Sequence, residues 1–302
     1  MPWVVGIDEA GYGPNLGPLV QAAVALRLPG DDPAGWRTLA GVVRRCGEKA
    51  DGRVLIDDSK KLYARGGVVA LERGVWAAVG RGAVSFGDLL RSVLVPCAWE
   101  ALADESWFDA AEPFPTGPVT GTRLPGAVVS SAWLATASVF NRVCDESGSK
   151  AAVLTRGWAE VARAALDRLP ADGEPVSLLC DKQGGRNFYA GVLQEAFPNG
   201  RVASLRESAA ESSYRVEGLG RPVAVTFRPR AEAEAVPVAL ASVLCKYLRE
   251  VCMRQFNRFW AAHVPGLLPT AGYPVDARRF YAAIRPAMAK LGLTDEQVWR
   301  KK

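Results

Sequence analysis

The sequence predicts a mixed α/β layer fold, and three observations predict it. Residues 3–8 (WVVGID) and 175–181 (PVSLLCD) are short apolar runs of strand length, and each ends in an aspartate a few residues before glycine. Helix-length stretches lie between and after them. The C-terminal third reads as helical, with one long helix over 237–262, another over 276–291 and a short tail. Strands first, with helices interleaved and then dominant, describe a sheet covered by helices.

Each element follows from its local composition. Residues 3–8 form a buried strand that feeds a turn at Gly11-Tyr12-Gly13-Pro14, and 18–28 (PLVQAAVALRL) form a second strand. Residues 31–50 read as a polar loop with a helix, 53–57 as a short strand and 59–80 as mostly helical, with Gly66, Gly67 and Gly74 weakening that helix. Residues 112–126 (EPFPTGPVTGTRLPG) are a Pro/Gly-rich loop, and two helical stretches follow at 127–145 and 150–169, parted by Glu146 to Ser149. After the strand at 175–181, residues 187–197 read as helix and 202–228 as strand and hairpin.

Composition excludes several chemistries. The 302 residues, 49% hydrophobic and 23% charged, are enough to bury a core without staples. No apolar run reaches the roughly 18 residues of a membrane span. The N-terminus has no basic region, signal core or cleavage site, so a soluble, cytoplasmic monomer with no membrane contact is expected. The six cysteines have no zinc-ligand spacing and are expected to be buried, reduced thiols. His263 is the only histidine and no G-x-S-x-G turn is present, which leaves carboxylates for metal or acid–base work. The formal charge is +5. Residues 97–126 carry −4 of it and the remainder +9, which is compatible with a polyanionic partner.

Asp8 and Glu9 end the first apolar run and Asp181 ends the second. A strand-end acid taken singly is most often a solvated turn. Two strands that each deliver an acid at their C-terminal ends can instead hold Mg²⁺ with hard oxygen ligands. Neighbouring side chains of a regular strand face opposite ways, so Asp8 and Glu9 reach one site only if the strand bends.

Read as whole strings, the chain resembles the type 2 ribonucleases H, that is, ribonucleases HII and HIII. GIDEAGYGPNLGPLV resembles their opening motif, DDSKKL (57–62) their Asp-Ser-Lys-Lys-Leu motif, and LLCDKQGGRNFY the strand with their third acid. RAEAEAVPVALASVLCKYLRE resembles the stretch from the fourth acid into a small-residue helix, and AGYPVD (271–276) their late Gly-Tyr motif. The order matches across residues 6–276, while the region around 85–150 matches poorly.

The resemblance implies a ribonuclease H-like fold, a mixed β-sheet flanked by helices, as one catalytic domain over 1–302 with an insertion at 88–148 and a C-terminal helical part at 237–302. It implies an endonuclease that cuts the RNA strand of RNA–DNA hybrids with two Mg²⁺ or Mn²⁺ ions, leaving 5′-phosphate and 3′-hydroxyl ends. Asp8, Glu9 and Asp181 match the first three metal-binding acids. Glu232, ten residues before Ser242, matches the fourth, with Glu234 as the alternative.

Nucleic-acid contacts are expected from Gly11, Tyr12, Gly13, Ser59, Lys60, Lys61, Lys246 and Tyr273. Ribonuclease HII has arginine where this chain has Tyr12, so strong cutting of continuous hybrid and weak cutting beside a single ribonucleotide are expected. Trp99, Trp107, Phe108 and Phe114 are expected to form the small core of the insertion. The rival readings are a junction resolvase on the same fold and a hybrid-binding protein without catalysis.

Overall fold

Residues 1–79, 83–115, 124–125 and 128–301 are described by the computed structural model of the protein. Strand β1 (Trp3–Ala10) is buried from Trp3 through Asp8. A strand covered on both faces reads as a continuous apolar run instead of an alternating one, and WVVGI is such a run. A loop over 11–18 returns the chain into β2 (Leu19–Arg27), antiparallel to β1 from Trp3↔Arg27 to Ala10↔Val20.

A small parallel pair, β3 (Val43–Arg44) and β4 (Val54–Leu55), precedes helix α1 (Ser59–Val79). Helices α2 (Phe86–Val93) and α3 (Pro96–Ala103) come next. Strand β5 (Val128–Ala135) lies antiparallel beside β2. It is followed by α4 (Ala137–Ser147) and α5 (Lys150–Arg168).

Strand β6 (Val176–Asp181) runs parallel to β1 in the register Trp3↔Val176 to Ile7↔Cys180. After α6 (Ala190–Ala196), strands β7 (Arg201–Glu207), β8 (Ser212–Glu217) and β9 (Val223–Arg228) form a meander that brings β9 parallel to β6. The short α7 (Ala231–Glu234), the long α8 (Val236–His263), α9 (Pro274–Leu291) and α10 (Asp295–Val298) complete the order. The main sheet reads β5-β2-β1-β6-β9-β8-β7.

Two glycines let helices press on both faces of this sheet. A Cβ on Gly6 of β1 would lie 2.1 Å from the Pro237 carbonyl carbon and the Val238 nitrogen of α8. A Cβ on Gly157 of α5 would lie 1.9 Å from Gln21 Oε1 and 2.4 Å from the Trp133 ring on the opposite face. The main core forms between these layers. The far half of α8 (Met253, Phe256, Trp260) packs with Phe280, Ile284 and Met288 of α9 and with Leu16 from the 11–18 loop in a second cluster. The C-terminal helical part is therefore divided: the near half of α8 belongs to the main core and the far half to this cluster. Among the described residues no helix is long and apolar enough to cross a membrane.

Several expectations are corrected. Residues 31–50 hold turns and β3 with no helix, because the Asp32 carboxylate accepts from the Gly35 amide, the Thr38 amide and the Thr38 hydroxyl, fixing a local turn in place of helical bonds. The stretch 127–145 is not one helix. Val128–Ala135 pairs with β2 along its length, and α4 begins only after Thr136. Helix α1 is broken at Gly66 and at Gly67, where φ is 60°. The expected helix over 187–197 is the shorter α6.

The span 88–148 supplies β5 to the main sheet, so it is not wholly an addition. Trp99, Trp107, Phe108 and Phe114 pack against the main core instead of forming a separate one, with Trp107 also touching Phe256 of α8. The Pro/Gly-rich loop over 112–126 lies partly outside the described residues. All six cysteines are free, but only Cys180, Cys245 and Cys252 are buried, and Cys97 is exposed.

The Gly6 contact gives a direct test. Because the clash is with backbone that cannot rotate away, Gly6→Ala should destabilise the fold by about 3 kcal/mol or more, read as a lowered urea midpoint. Gly41→Ala, with nothing within 4 Å of its Cβ position, should leave the midpoint within about 0.5 kcal/mol of wild type. Equal effects of the two would mean that the α8–β1 approach is not close.

Candidate active site

Strand register brings two of the acids together. Ile7 pairs with Cys180, so the next residues, Asp8 and Asp181, stand side by side at the C-terminal ends of neighbouring parallel strands. Strand alternation turns Asp8 to the face of Gly6, the one covered by α8. Glu9 pairs with Gln21, whose side chain meets α5 on the other face. The ladder to β2 continues in register through Glu9, and the Glu9 carboxyl nevertheless lies near enough to Asp8, Asp181 and Glu232 to sense their charge.

Asp8 is held from α8. Its side chain bonds the Ser242 hydroxyl, its carbonyl accepts from Cys245 Sγ at 3.1 Å, and its Oδ1 accepts from the Glu9 amide at 2.8 Å. Ser242 also bonds the Ser59 hydroxyl, Oγ to Oγ 3.0 Å, which joins the DDSKKL string to the acid through one intervening side chain.

Beyond β9 the chain reverses at Arg230, the one non-glycine residue with positive φ (60°) among those described. That left-handed turn costs about 1 kcal/mol or more. It sets the Ala231 amide on Asp181 Oδ1 at 3.1 Å and brings Glu232 to the other acids. Glu232 Oε2 is buried with no hydrogen-bond partner among the described residues, whereas Glu234 turns outward to Arg228 at 3.2 Å.

Burial and mutual repulsion set the electrostatics. Burial pushes the Asp8 carboxyl up to about 7; the Ser242 hydroxyl works against this, and Asp181 and Glu232 add to it. Glu9 is raised well above the usual carboxylate range by burial, then by Asp8, Asp181 and Glu232. Asp181 and Glu232 are both raised, burial again being the main cause. Lys60 opposes the rise at Glu9, Asp181 and Glu232. The donor set is all hard oxygen, and the unpartnered Glu232 Oε2 is where a cation would find a ligand. The four carboxylates sense one another, yet among the described residues no three His, Cys, Asp or Glu side chains are already arranged to hold an ion. Bare carboxylates repel, and a cation between them reverses that term.

The remaining expected contacts divide. At the α1 start the Lys60 and Lys61 amides are already taken, because Asp58 Oδ1 accepts from them at 2.7 Å and 3.3 Å. The Lys61 ammonium pairs with Asp57 at 3.2 Å. Lys246 pairs with Glu250 at 2.6 Å and lies over the Tyr63 ring. Tyr12 is half-buried, with Lys150 Nζ 4.4 Å from its ring centroid. Tyr273 is exposed, and its Cε1 lies 3.8 Å from the Cβ position of Gly13, so the two tyrosine loops adjoin.

Sequence reasoning missed the two buried arginines beneath the Gly11–Gly13 loop. Arg249 donates to the Ala271 carbonyl at 2.9 Å, and Arg300 donates to the carbonyls of Gly11 (2.7 Å) and Tyr12 (3.0 Å). Arg249 follows Ser242 by seven residues, two helical turns on the same face of α8, a signal that was readable. Arg300 carries none.

A mixed sheet with acids at the ends of adjacent parallel strands and a long helix across β1 defines a carboxylate-lined site at the strand ends. No family model matches the chain. The ribonuclease HII of Gluconobacter oxydans (strain 621H), a curated relative, is 35% identical over 102 residues, which are 33% of this chain and 41% of that protein. The match thus spans less than half of the relative's length.

Among solved structures, Bst-RNase HIII in complex with Mn²⁺ aligns with a TM-score of 0.51 at 19% identity, over 99% of this chain and 66% of that one. A glutamine-to-alanine mutant of Bst-RNase HIII gives 0.51 at 18% identity, again over 99% and 66%. At such identity the structures establish the fold, which is ribonuclease H-like. The chain is thus similar to a ribonuclease HII over a third of its length and shares its fold with ribonuclease HIII.

The raised carboxyls generate a pH prediction for the metal-free protein. A carboxyl raised on folding favours the folded state fully below its unfolded pKa, and that advantage is lost as pH rises through the folded value. For Asp8 the window runs from about 4 to just above 7. Stability in EDTA should therefore fall between pH 5 and pH 8, by an amount on the order of a few kcal/mol. Asp8→Asn, which cannot ionise, should flatten the slope. A slope identical in both proteins would place its origin elsewhere.

Proposed function

We propose that the chain is an endonuclease of the ribonuclease H class, which hydrolyses the RNA strand of RNA–DNA hybrids and leaves 5′-phosphate and 3′-hydroxyl ends. Asp8, Glu9, Asp181 and Glu232 would hold two divalent ions, Mg²⁺ or Mn²⁺. The observation that carries this reading is the placement of Asp8 and Asp181 just past the last paired residues of adjacent parallel strands, with Glu232 brought near them through the turn at Arg230.

Bound divalent ions supply the charge that stabilises the attacking water and the leaving oxygen of a phosphodiester. The chain's own residues do the rest. The Ser242 hydroxyl orients the Asp8 carboxylate, and the Ala231 amide orients that of Asp181. Lys60 faces the acids and adds a positive charge that favours their ionised, ligating form.

Substrate choice falls to the loop over 11–13 and to Tyr273. Hybrid duplexes are recognised by A-like shape and by 2′-hydroxyls, which backbone amides can read. Tyr12 offers a ring and at most one neutral hydrogen bond, where an arginine fork offers two charge-assisted bonds to phosphate. A lone ribonucleotide presents a single 2′-hydroxyl and depends more on that phosphate grip.

Cleavage of matched RNA–DNA hybrid, a duplex with one ribonucleotide and plain DNA, with metal titration, tests the reading. Hybrid should be cut strongly, the single ribonucleotide roughly 10- to 150-fold more slowly, and DNA not at all. Tyr12→Arg should raise the single-ribonucleotide rate. Asp181→Asn should lose turnover and still bind hybrid. Comparable wild-type rates on the two ribonucleotide substrates would sink the specificity, and no metal-dependent cleavage of any substrate would sink the activity.

A further inference from the structure

Arg300 lies after α10, far in sequence from the Gly11–Gly17 loop, yet it is the main support of that loop. Its guanidinium is fully buried. Nη1 donates to the Gly11 carbonyl at 2.7 Å and the Gly17 carbonyl at 3.2 Å, and Nη2 donates to the Tyr12 carbonyl at 3.0 Å. Its own amide donates to the Asn15 carbonyl at 2.9 Å, and Asn15 Nδ2 returns a bond to the Arg300 carbonyl at 3.1 Å. Asn141 of α4 fixes the neighbouring backbone by donating to the Trp299 carbonyl at 2.8 Å and accepting from the Lys301 amide at 2.7 Å. Phe140 lies under the guanidinium, ring centroid to Cζ 4.2 Å.

The geometry has a consequence for the outer side of the loop. In a trans peptide the C=O and N–H point in opposite directions. With the Gly11 and Tyr12 carbonyls drawn inward to Arg300, the amides of Tyr12 and Gly13 face outward, and neither donates a hydrogen bond among the described residues. Two successive outward amides make a concavity suited to an anion or a hydroxyl oxygen. The cation behind them adds positive potential there. Burial and the nearby Arg249 lower the Arg300 pKa to about 9, so the group stays charged at neutral pH. Burying a guanidinium with carbonyl partners alone costs several kcal/mol. Among the described residues it has no carboxylate partner within ion-pair distance.

We propose that Arg300 is a positioning residue for substrate recognition, holding the Gly11–Gly13 loop so that the Tyr12 and Gly13 amides meet the 2′-hydroxyl and phosphate oxygens of the RNA strand. This assignment rests on the hybrid-cutting reading above. The charge that the side chain at position 12 does not supply from the surface is supplied from beneath the loop.

Fluorescence anisotropy of the full chain in EDTA tests it without metal or turnover, comparing an RNA–DNA hybrid with a DNA duplex of the same sequence. Wild type should prefer the hybrid; a wild type with no preference would overturn the functional reading itself. Arg300→Met should reduce that preference roughly tenfold, the worth of one or two hydrogen bonds, while DNA affinity stays as in wild type. Loss of affinity for both duplexes by the same factor, or for neither, would overturn the positioning role. Should Arg300→Met fail to fold by circular dichroism, Arg300→Lys decides. Its ammonium keeps the charge but ends one bond short of the two guanidinium nitrogens that hold the Gly11, Gly17 and Tyr12 carbonyls, so a reduced preference supports the proposal and an unchanged one overturns it.

Discussion

The close crossing of α8 over β1 at Gly6 is the constraint on which the rest of the structure depends. Without a side chain at Gly6, the helix backbone at Pro237 and Val238 comes to rest on the strand backbone. That contact fixes where every later turn of α8 falls. Ser242 and Cys245 land on Asp8, one turn and two turns further on, and Arg249 lands under Gly11. Met253, Phe256 and Trp260 continue past the sheet into the second cluster with α9. One helix therefore orients the first acid, supports the adjoining loop and carries the C-terminal helices. A Cβ at Gly6 would lift all three together.

Charge is partitioned over a short distance. Asp8 and Glu9 are carboxylates whose ionisation is opposed by burial and by their neighbours, and four residues after Asp8 the backbone rests on buried guanidinium groups. Each half is costly alone, since buried like charges repel. A nucleic-acid strand with its phosphates near the cationic loop, together with metal ions among the acids, would satisfy both halves.

The Gly11–Gly17 loop and the Ala271–Tyr273 loop form one hydrogen-bonded unit. The Asn15 and Leu16 amides both donate to the Gly272 carbonyl, at 2.8 and 3.3 Å. Gly272 holds φ at 83°, and a Cβ there would lie 2.4 Å from the Leu16 carbonyl oxygen. Arg249 ties the same loops from below by donating to Ala271 while packing against Gly11. Tyr12 and Tyr273 consequently sit on a shared frame, and a change in either loop is felt by the other.

What the sequence determined by itself was local. Apolar runs ending in acids identify β1, β6 and the pair Asp8 and Asp181, because a doubly covered strand must be continuously apolar and its end is where polar groups can begin. Long periodic stretches likewise mark α5, α8 and α9. Long-range pairing decided the rest. Residues 128–135 become a strand only because β2 offers an open edge, and 31–50 lose their helix to the carboxylate of Asp32. That Glu232 lies beside Asp181 while Glu234 pairs with Arg228 is tertiary too, since residues two apart on a helical turn point apart. Arg300 was invisible for the same reason. An arginine near a helix end reads as solvated surface until the fold lowers it onto three carbonyls of a loop more than 280 residues away. Burial and hydrogen bonding, which no local pattern encodes, give it a role there.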